Sequence, residues 1–221
     1  MELVIGNKNY SSWSLRGWLM LQAFEVPFEE TRLPLFTEEF KDGMAARGLS
    51  GQVPVLLDDE LKVWDSLAIC EYINEHYLEG AGWPEALAAR AEARSVVSQM
   101  HAGFPALRSE LTLNCRRQLG VNLSETAEAE IAIIDKMWSG LRERYAAEGE
   151  WLFGRFTIAD VFYAPVALRF ESYGIALAPQ SEAYKAQVLA HPAIQAWVAA
   201  AHEETEVLAC FEFEDVTQTD D

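Results

Sequence analysis

Three short stretches carry side chains able to bind and polarise a small ligand. The first, Tyr10-Ser11-Ser12-Trp13-Ser14-Leu15-Arg16, sets three serine hydroxyls between an apolar run and a helical one. A helix start presents unpaired N–H groups and the positive end of the dipole, so it favours anions. A hydroxyl placed there can hydrogen-bond a thiolate, although serines at such a position also serve simply as caps. The second stretch, Gln52-Val53-Pro54, opens a strand. A proline there can take the cis form, which exposes the preceding residue's backbone for pairing with an extended peptide. Taken alone, a Val-Pro reads as an ordinary trans turn. The third, Asp65-Ser66, falls where a strand gives way to a helix. A hydroxyl, free helix N–H groups and a carboxylate together suit an α-amino acid, donors meeting its carboxylate and an acceptor its ammonium. Asp and Ser are also common N-caps, and that reading stands beside the first.

The elements that must position these residues follow from periodicity and punctuation. Leu3-Val4-Ile5, ended by Gly6, is a short buried strand, and Leu15, Trp18, Leu19, Leu21 and Gln22 continue as a helix. The chain is extended again between Pro27 and Leu35, then helical from Thr37 to Ala46. Val53 to Leu57 and Leu61 to Trp64 flank the turn Asp58-Asp59-Glu60, so they pair antiparallel, whereas the first two strands, joined through a helix, can be parallel. From Ser66, the residues Leu67, Ile69, Cys70, Ile73 and Tyr77 recur at helical spacing. The order βαβαββα is a thioredoxin-like arrangement, expected over residues 1–78. Gly80, Gly82 and Pro84 mark a linker, and an all-helical second domain is expected over 86–221. There, Leu87 to about Arg117 reads as one long helix with a kink or break at Gly103 and Pro105. Ser124 to about Ala147 follows, with Glu125 and Glu128 in the opening turn. Further helices are expected over Thr157 to Ser172, Glu182 to Leu189 and Pro192 to Glu203.

Composition narrows the classes of partner. Half of the 221 residues are hydrophobic, and 17 basic against 35 acidic residues give a net charge of −18. Such a surface repels nucleic acids and anionic lipid, so neither is an expected partner. Arg108, Arg116 and Arg117 remain candidates for a local basic pocket. Glu203, Glu204, Glu206, Glu212, Glu214, Asp215, Asp220 and Asp221 read as a solvated, frayed tail. Cys70, Cys115 and Cys210 are an odd, scattered set with no CxxC, which points to a reducing, cytoplasmic compartment. Met1 to Gly6 is a strand pattern rather than a signal peptide, no apolar run reaches the ~20 residues of a membrane helix, and no metal is expected.

The order strand, Ser-rich helix start, Val-Pro, hairpin, Asp-Ser helix start resembles the cytosolic glutathione transferases. Phe156-Thr157-Ile158-Ala159-Asp160 is similar to that family's C-terminal-domain signature, a capping box with Asp in place of Glu. Ser11-Ser12-Trp13-Ser14-Leu15-Arg16 further resembles the Ser-Ser-Cys-Ser-Trp-Arg stretch of the zeta class, which contains maleylacetoacetate isomerases. The resemblance implies that Ser11 is the thiol-activating hydroxyl, with Ser12 and Ser14 as nearby donors. It also implies that Trp13, Gln52, Val53, Pro54, Asp65 and Ser66 bind glutathione as co-substrate. Trp13 stands where the zeta pattern has cysteine, which reshapes the site beside the sulfur. The omega and beta classes place a cysteine at the activating position; this chain has none nearby, which disfavours disulfide chemistry.

Lowering a thiol pKa from ~8.5 by about two units requires ~2.7 kcal/mol. A helix N-terminus supplies ~0.3–2 kcal/mol and a hydrogen bond to a charged group ~1.5–3 kcal/mol, so one serine and the helix end suffice. The implied reaction is attack by bound thiolate on a small hydrophobic electrophile, in a pocket between the domains lined by His101, Phe104 and Arg108. Those three share roughly one face of the predicted helix, with Asn114 further round. His101 also reads as a packed interface histidine, and Arg108 as an ion-pair partner. The resemblance implies a homodimer. A glutathione-dependent isomerase of the zeta type, and a non-catalytic binding module on the same fold, are the alternatives.

Overall fold

The computed structural model describes residues 1–213. Of the acidic residues read as a frayed tail, Glu214, Asp215, Asp220 and Asp221 therefore lie outside the described residues. The chain opens with β1 (Glu2–Ile5), α1 (Ser12–Ala23), β2 (Glu29–Arg32), α2 (Glu38–Ala46), β3 (Val55–Asp58), β4 (Leu61–Trp64) and α3 (Ser66–His76). The sheet order is β2-β1-β3-β4, with β1 and β2 parallel and the other pairs antiparallel. Leu3 is thereby set between Glu30 and Leu56. This is the thioredoxin-like order expected from the alternation of apolar runs and turns. Asp59 supplies the positive φ (50°) that the tight turn between β3 and β4 requires.

The sheet buries both faces. On one side Val4, Leu33, Phe40, Met44 and Val55 pack together beneath α2. On the other, Leu3, Ile5, Leu15, Leu19, Leu56, Ile69 and Ile73 join a buried cluster that continues into the helical part through Val97, Leu107, Trp138 and Phe162. Apolar burial at about 25 cal/mol per Å² makes this shared core the main force holding the two parts together. Gly17 lets α1 lie close to the strand entry, because a Cβ there would stand 3.2 Å from the ring of Pro54. Gly17→Leu is expected to force these apart and cost about 2 kcal/mol, read as a lowered thermal midpoint.

Residues 77–86 connect the two parts and are tied down along their length. The Gly82 N–H donates to Asn74 Oδ1 (2.8 Å), its carbonyl accepts from Ile158 N–H (2.9 Å), and Trp83 is buried. The helical part comprises α4 (Leu87–Ala102), α5 (Pro105–Glu110), α6 (Glu125–Arg144), α7 (Ile158–Ser172), α8 (Pro179–Ala190) and α9 (Pro192–Glu203), then a short 3₁₀ turn at Ala209–Phe211.

The helix expected from Leu87 to Arg117 breaks at Gly103 and Pro105, as expected, but it stops at Glu110 instead of running on to Arg117. Pro105 has no N–H to continue the ladder, and Phe104 takes a left-handed conformation (φ 58°) between α4 and α5. Arg108 folds back and donates to the carbonyls of Met100, His101 and Gly103, satisfying the orphaned end of α4. Residues 111–117 are not helical, so Asn114, Arg116 and Arg117 do not lie on the helix expected to carry them.

The centre of the helical part is α7, nearly every residue of which is buried. Its start is the expected capping box. Asp160 Oδ2 accepts from the Thr157 N–H at 2.8 Å, and Thr157 Oγ1 accepts from Ala159 N–H. Asp160 Oδ1 also accepts from Leu152 N–H (3.2 Å) and the Tyr184 hydroxyl (3.1 Å). Ser124 caps α6, its Oγ accepting from Ala127 N–H.

Candidate active site

The loop of residues 6–11 carries β1 to α1 and is almost wholly buried. Asn7 Oδ1 accepts from Leu35 N–H (2.8 Å). The amides of Lys8 and Asn9 both donate to the carboxylate of Glu204, at 2.7 and 3.0 Å. The loop is thus clamped from the far end of the chain, and Ser11 emerges as the N-cap of α1, its Oγ accepting from Ser14 N–H at 3.2 Å. Ser11 Oγ also donates to Ser14 Oγ (2.8 Å), which in turn accepts from Gly6 N–H (3.0 Å).

Ser11, Ser12 and Trp13 line a cavity of about 540 Å³ between the two parts of the molecule. Gln52, Val53, Pro54, Asp65 and Ser66 line it from the sheet side, and Arg108, Thr112 and Arg169 from the helical side. The Val53–Pro54 peptide bond is cis. Asp65 caps α3 from a positive φ (72°), its Oδ1 accepting from Leu67 N–H (2.8 Å) and its Oδ2 facing His101 Nε2 at 3.2 Å. The Ser66 hydroxyl is buried against the helix start with no hydrogen-bond partner among the described residues. Three stretches separated by up to fifty residues therefore meet at one cleft, with two helix N-termini beside it.

Three of the sequence-derived residues stand elsewhere. Ser14 is fully buried behind Ser11 and does not reach the cavity. His101 and Phe104, expected on the electrophile pocket, are also absent from its wall. The break before Pro105 turns Phe104 into the core, and His101 pairs with Asp65 and packs against the edges of Trp13 and Phe162. Burial lowers the His101 pKa, with Asp65 opposing and Arg16 and Arg108 reinforcing the shift. Arg116 and Arg117 form no open basic pocket. Arg116 donates to the carbonyls of Glu204 and Glu206 and to the Tyr10 hydroxyl, and Arg117 pairs with Glu212 at 2.8 Å.

Of the described tail residues, Glu203 is exposed, but Glu204, Glu206 and Glu212 are docked rather than solvated. Glu204 is buried, Glu206 pairs with Arg32 (2.8 Å), and Glu212 accepts from the Tyr10 hydroxyl (2.5 Å) and Asn114 Nδ2 (3.2 Å). Phe211 stacks on Tyr10 and forms part of the cavity wall. Periodicity carries no trace of these contacts.

Arg169 is among the cavity residues that sequence reasoning missed, and a signal for it existed: a cation in a largely apolar helix. It is buried, donates from Nε to the Leu111 carbonyl (2.6 Å) and from Nη2 to Ser12 Oγ (3.1 Å), and its Nη1 has no partner among the described residues. Behind Trp13, the buried Arg16 lies between the indole and Phe162, each ring centroid 4.6 Å away, and burial pushes its pKa well down. Arg108 lies on the Trp13 ring at 4.9 Å. The outer shell is acidic, but this part of the cavity is cationic.

Among the described residues no group of three or more His, Cys, Asp or Glu is placed to hold a metal ion, and no helix is long and apolar enough to cross a membrane.

This pairing of a thioredoxin-like unit with a helical domain, and a cleft between them, has clear relatives. Residues 10–76 match the family model for the glutathione S-transferase N-terminal domain, and residues 124–200 match that for the C-terminal domain. The chain belongs to the glutathione transferase family. It is 25% identical over 210 residues to glutathione S-transferase GstB of Escherichia coli, covering 87% of this chain and 96% of that protein. It is 30% identical over 146 residues to a probable maleylacetoacetate isomerase of Vibrio cholerae, covering 64% of this chain and 68% of that protein. A 43% match over 63 residues to dichloromethane dehalogenase of Methylorubrum extorquens spans 26% of this chain and a fifth (20%) of that protein. Among solved structures, a glutathione transferase homolog from Burkholderia gl BGR1 with bound glutathione superposes with a TM-score of 0.68 at 22% identity, covering 92% of this chain and 98% of the other.

Proposed function

We propose that the cleft binds glutathione and ionises its thiol for attack on a small hydrophobic electrophile, making the protein a glutathione transferase. The observation that carries this reading is the convergence of Ser11-Ser12, Gln52-Val53-Pro54 and Asp65-Ser66 on one cavity. In this reading the extended tripeptide pairs with the backbone of Val53. Its α-amino acid end meets Ser66 and the free amides of α3, with Asp65 as acceptor for the ammonium. Its sulfur then falls at the start of α1, beside Trp13, where a hydroxyl and the helix dipole favour the thiolate. A carbon–sulfur bond forms as the electrophile's leaving group departs or its double bond accepts the electron pair.

Following thiolate absorbance against pH with the purified protein tests this directly. Bound glutathione is expected to ionise about two pH units below the free thiol. An unshifted thiol on a protein that still binds the tripeptide makes it a binding module instead. Ser66→Ala is expected to weaken glutathione about tenfold, measured by calorimetry, because it removes a buried hydroxyl facing the ligand.

A second reading, a glutathione-dependent isomerase, draws on the match to the probable maleylacetoacetate isomerase. It predicts turnover of a maleyl-type substrate with no net consumption of glutathione. We further propose that the functional units span 1–78 and 86–221, and that the protein works in the cytoplasm as a homodimer. The exposed Leu61 and Trp64 on the outermost strand are apolar surface available for burial in that assembly. Light scattering at micromolar protein measures the assembly state.

A further inference from the structure

Resemblance gives the thiol-activating role to Ser11, but the hydrogen bonds of the site distribute donors differently. A hydroxyl owns one hydrogen and two lone pairs. The hydrogen of Ser11 goes to Ser14 Oγ (2.8 Å), and a lone pair of Ser11 takes the Ser14 N–H (3.2 Å). Ser11 is therefore occupied by its own helix cap. Ser12 is arranged the other way round. Its Oγ accepts from the Arg169 guanidinium at 3.1 Å, and its hydrogen has no acceptor among the described residues. Ser12 and Arg169 both line the cavity, and the buried Nη1 of Arg169 is also without a partner. Two unsatisfied donors, one from each part of the molecule, thus belong to residues of the same cavity wall.

Building on the glutathione reading above, we infer that Ser12 is the hydroxyl that hydrogen-bonds the glutathione sulfur, and that Arg169 is the residue positioning it. A cation on one lone pair polarises the O–H and turns that side away from the ligand, leaving the hydrogen free to donate. Arg169 remains protonated at neutral pH, since burial and the neighbouring Arg108 bring it down only to about 10. The other charged or titratable groups around the pair come from every packed element. Arg16 on α1 and Arg108 on α5 flank Trp13, and Tyr173 and Cys115 face Arg169 from behind. Asp65, the carboxylate on the cavity wall, faces His101 through Oδ2 and caps the Leu67 amide through Oδ1, with lone pairs left on both oxygens. The Arg169 link also ties formation of the donor to docking of α7 on α1.

The test compares the ionisation of protein-bound glutathione in wild type, Ser11→Ala, Ser12→Ala, Arg169→Gln and Arg169→Lys, each first checked for folding by circular dichroism. Ser12→Ala is expected to raise the bound thiol's pKa by about one unit, and to lower kcat for a chlorodinitrobenzene about tenfold below neutral pH, while KM for glutathione moves less than about threefold. Arg169→Gln should raise the same pKa, the double variant should add little to either single change, and Arg169→Lys should recover part of the shift. A larger shift in Ser11→Ala than in Ser12→Ala overturns the inference while leaving the transferase reading intact. A wild-type thiol with no shift removes both. If Arg169→Gln does not fold, the ordering of the two serine variants still decides.

Discussion

Asp160→Ala is expected to lower stability by about 4 kcal/mol and the thermal midpoint by about 10 °C. The carboxylate is fully buried at the start of α7 and holds the amides of Thr157 and Leu152 and the hydroxyl of Tyr184. Removing it strands several buried donors at once, each costing about 1–3 kcal/mol. With total stabilities of about 5–15 kcal/mol, that is a large fraction of what a domain possesses. The expected cost depends on pH. Burial raises the Asp160 pKa from 3.8 to about 6, against the opposing pull of its hydrogen-bond donors. In the unfolded chain the carboxyl ionises first, so its contribution is complete below about pH 4 and falls as pH rises through about 6. Chemical denaturation of both proteins at pH 4.5 and pH 7.5 should show the larger difference at the lower pH. A difference independent of pH would mean that Asp160 ionises equally easily in both states.

Glu204→Ala is expected to affect activity more than its distance from the sulfur site suggests. The carboxylate is the acceptor for two loop amides just before Ser11, and it lies 3.6 Å from Arg32. Its loss leaves two buried N–H groups unpaired, a cost of about 2–5 kcal/mol. The loop would relax, and with it the placement of Ser11 and Ser12; misplacement by about 1 Å can reduce turnover about a hundredfold. We expect kcat/KM to fall about 30- to 100-fold, with hydrogen exchange at the Lys8 and Asn9 amides accelerated. Wild-type turnover in a folded variant would show that the loop holds itself.

The parts of the molecule legible in sequence were those governed by local rules. Leu3-Val4-Ile5 with its glycine stop, the Asp59 turn and the Thr157–Asp160 cap each declare an element within a few residues, and their order defined the thioredoxin-like unit and the buried helix. The sheet-side wall of the cavity was legible for the same reason, since Val53-Pro54 and Asp65-Ser66 sit at element starts. The helical wall was not. Residues 111–117 have helical composition, yet their partners are Asn9, Tyr10, Glu212 and the side chains of α7, which no window along the chain can reveal. The glutamates after residue 203 have the composition of a solvated end, and only folded proximity to Lys8, Asn9, Tyr10 and Arg32 makes them structural. Arg169 was visible as an oddity, a guanidinium inside an apolar helix, but its distance to Ser12 was not.

The clamp between Glu204 and the amides of Lys8 and Asn9 has a consequence for synthesis. These bonds join positions 195 and 196 residues apart. A chain made from its N-terminus completes the thioredoxin-like sheet early, since β1 to β4 end at Trp64. The segment that fixes the first helix's entry reaches the ribosome exit long afterwards. Until Glu204 is translated, the nascent protein holds a finished sheet whose loop before Ser11 still lacks its carboxylate acceptor.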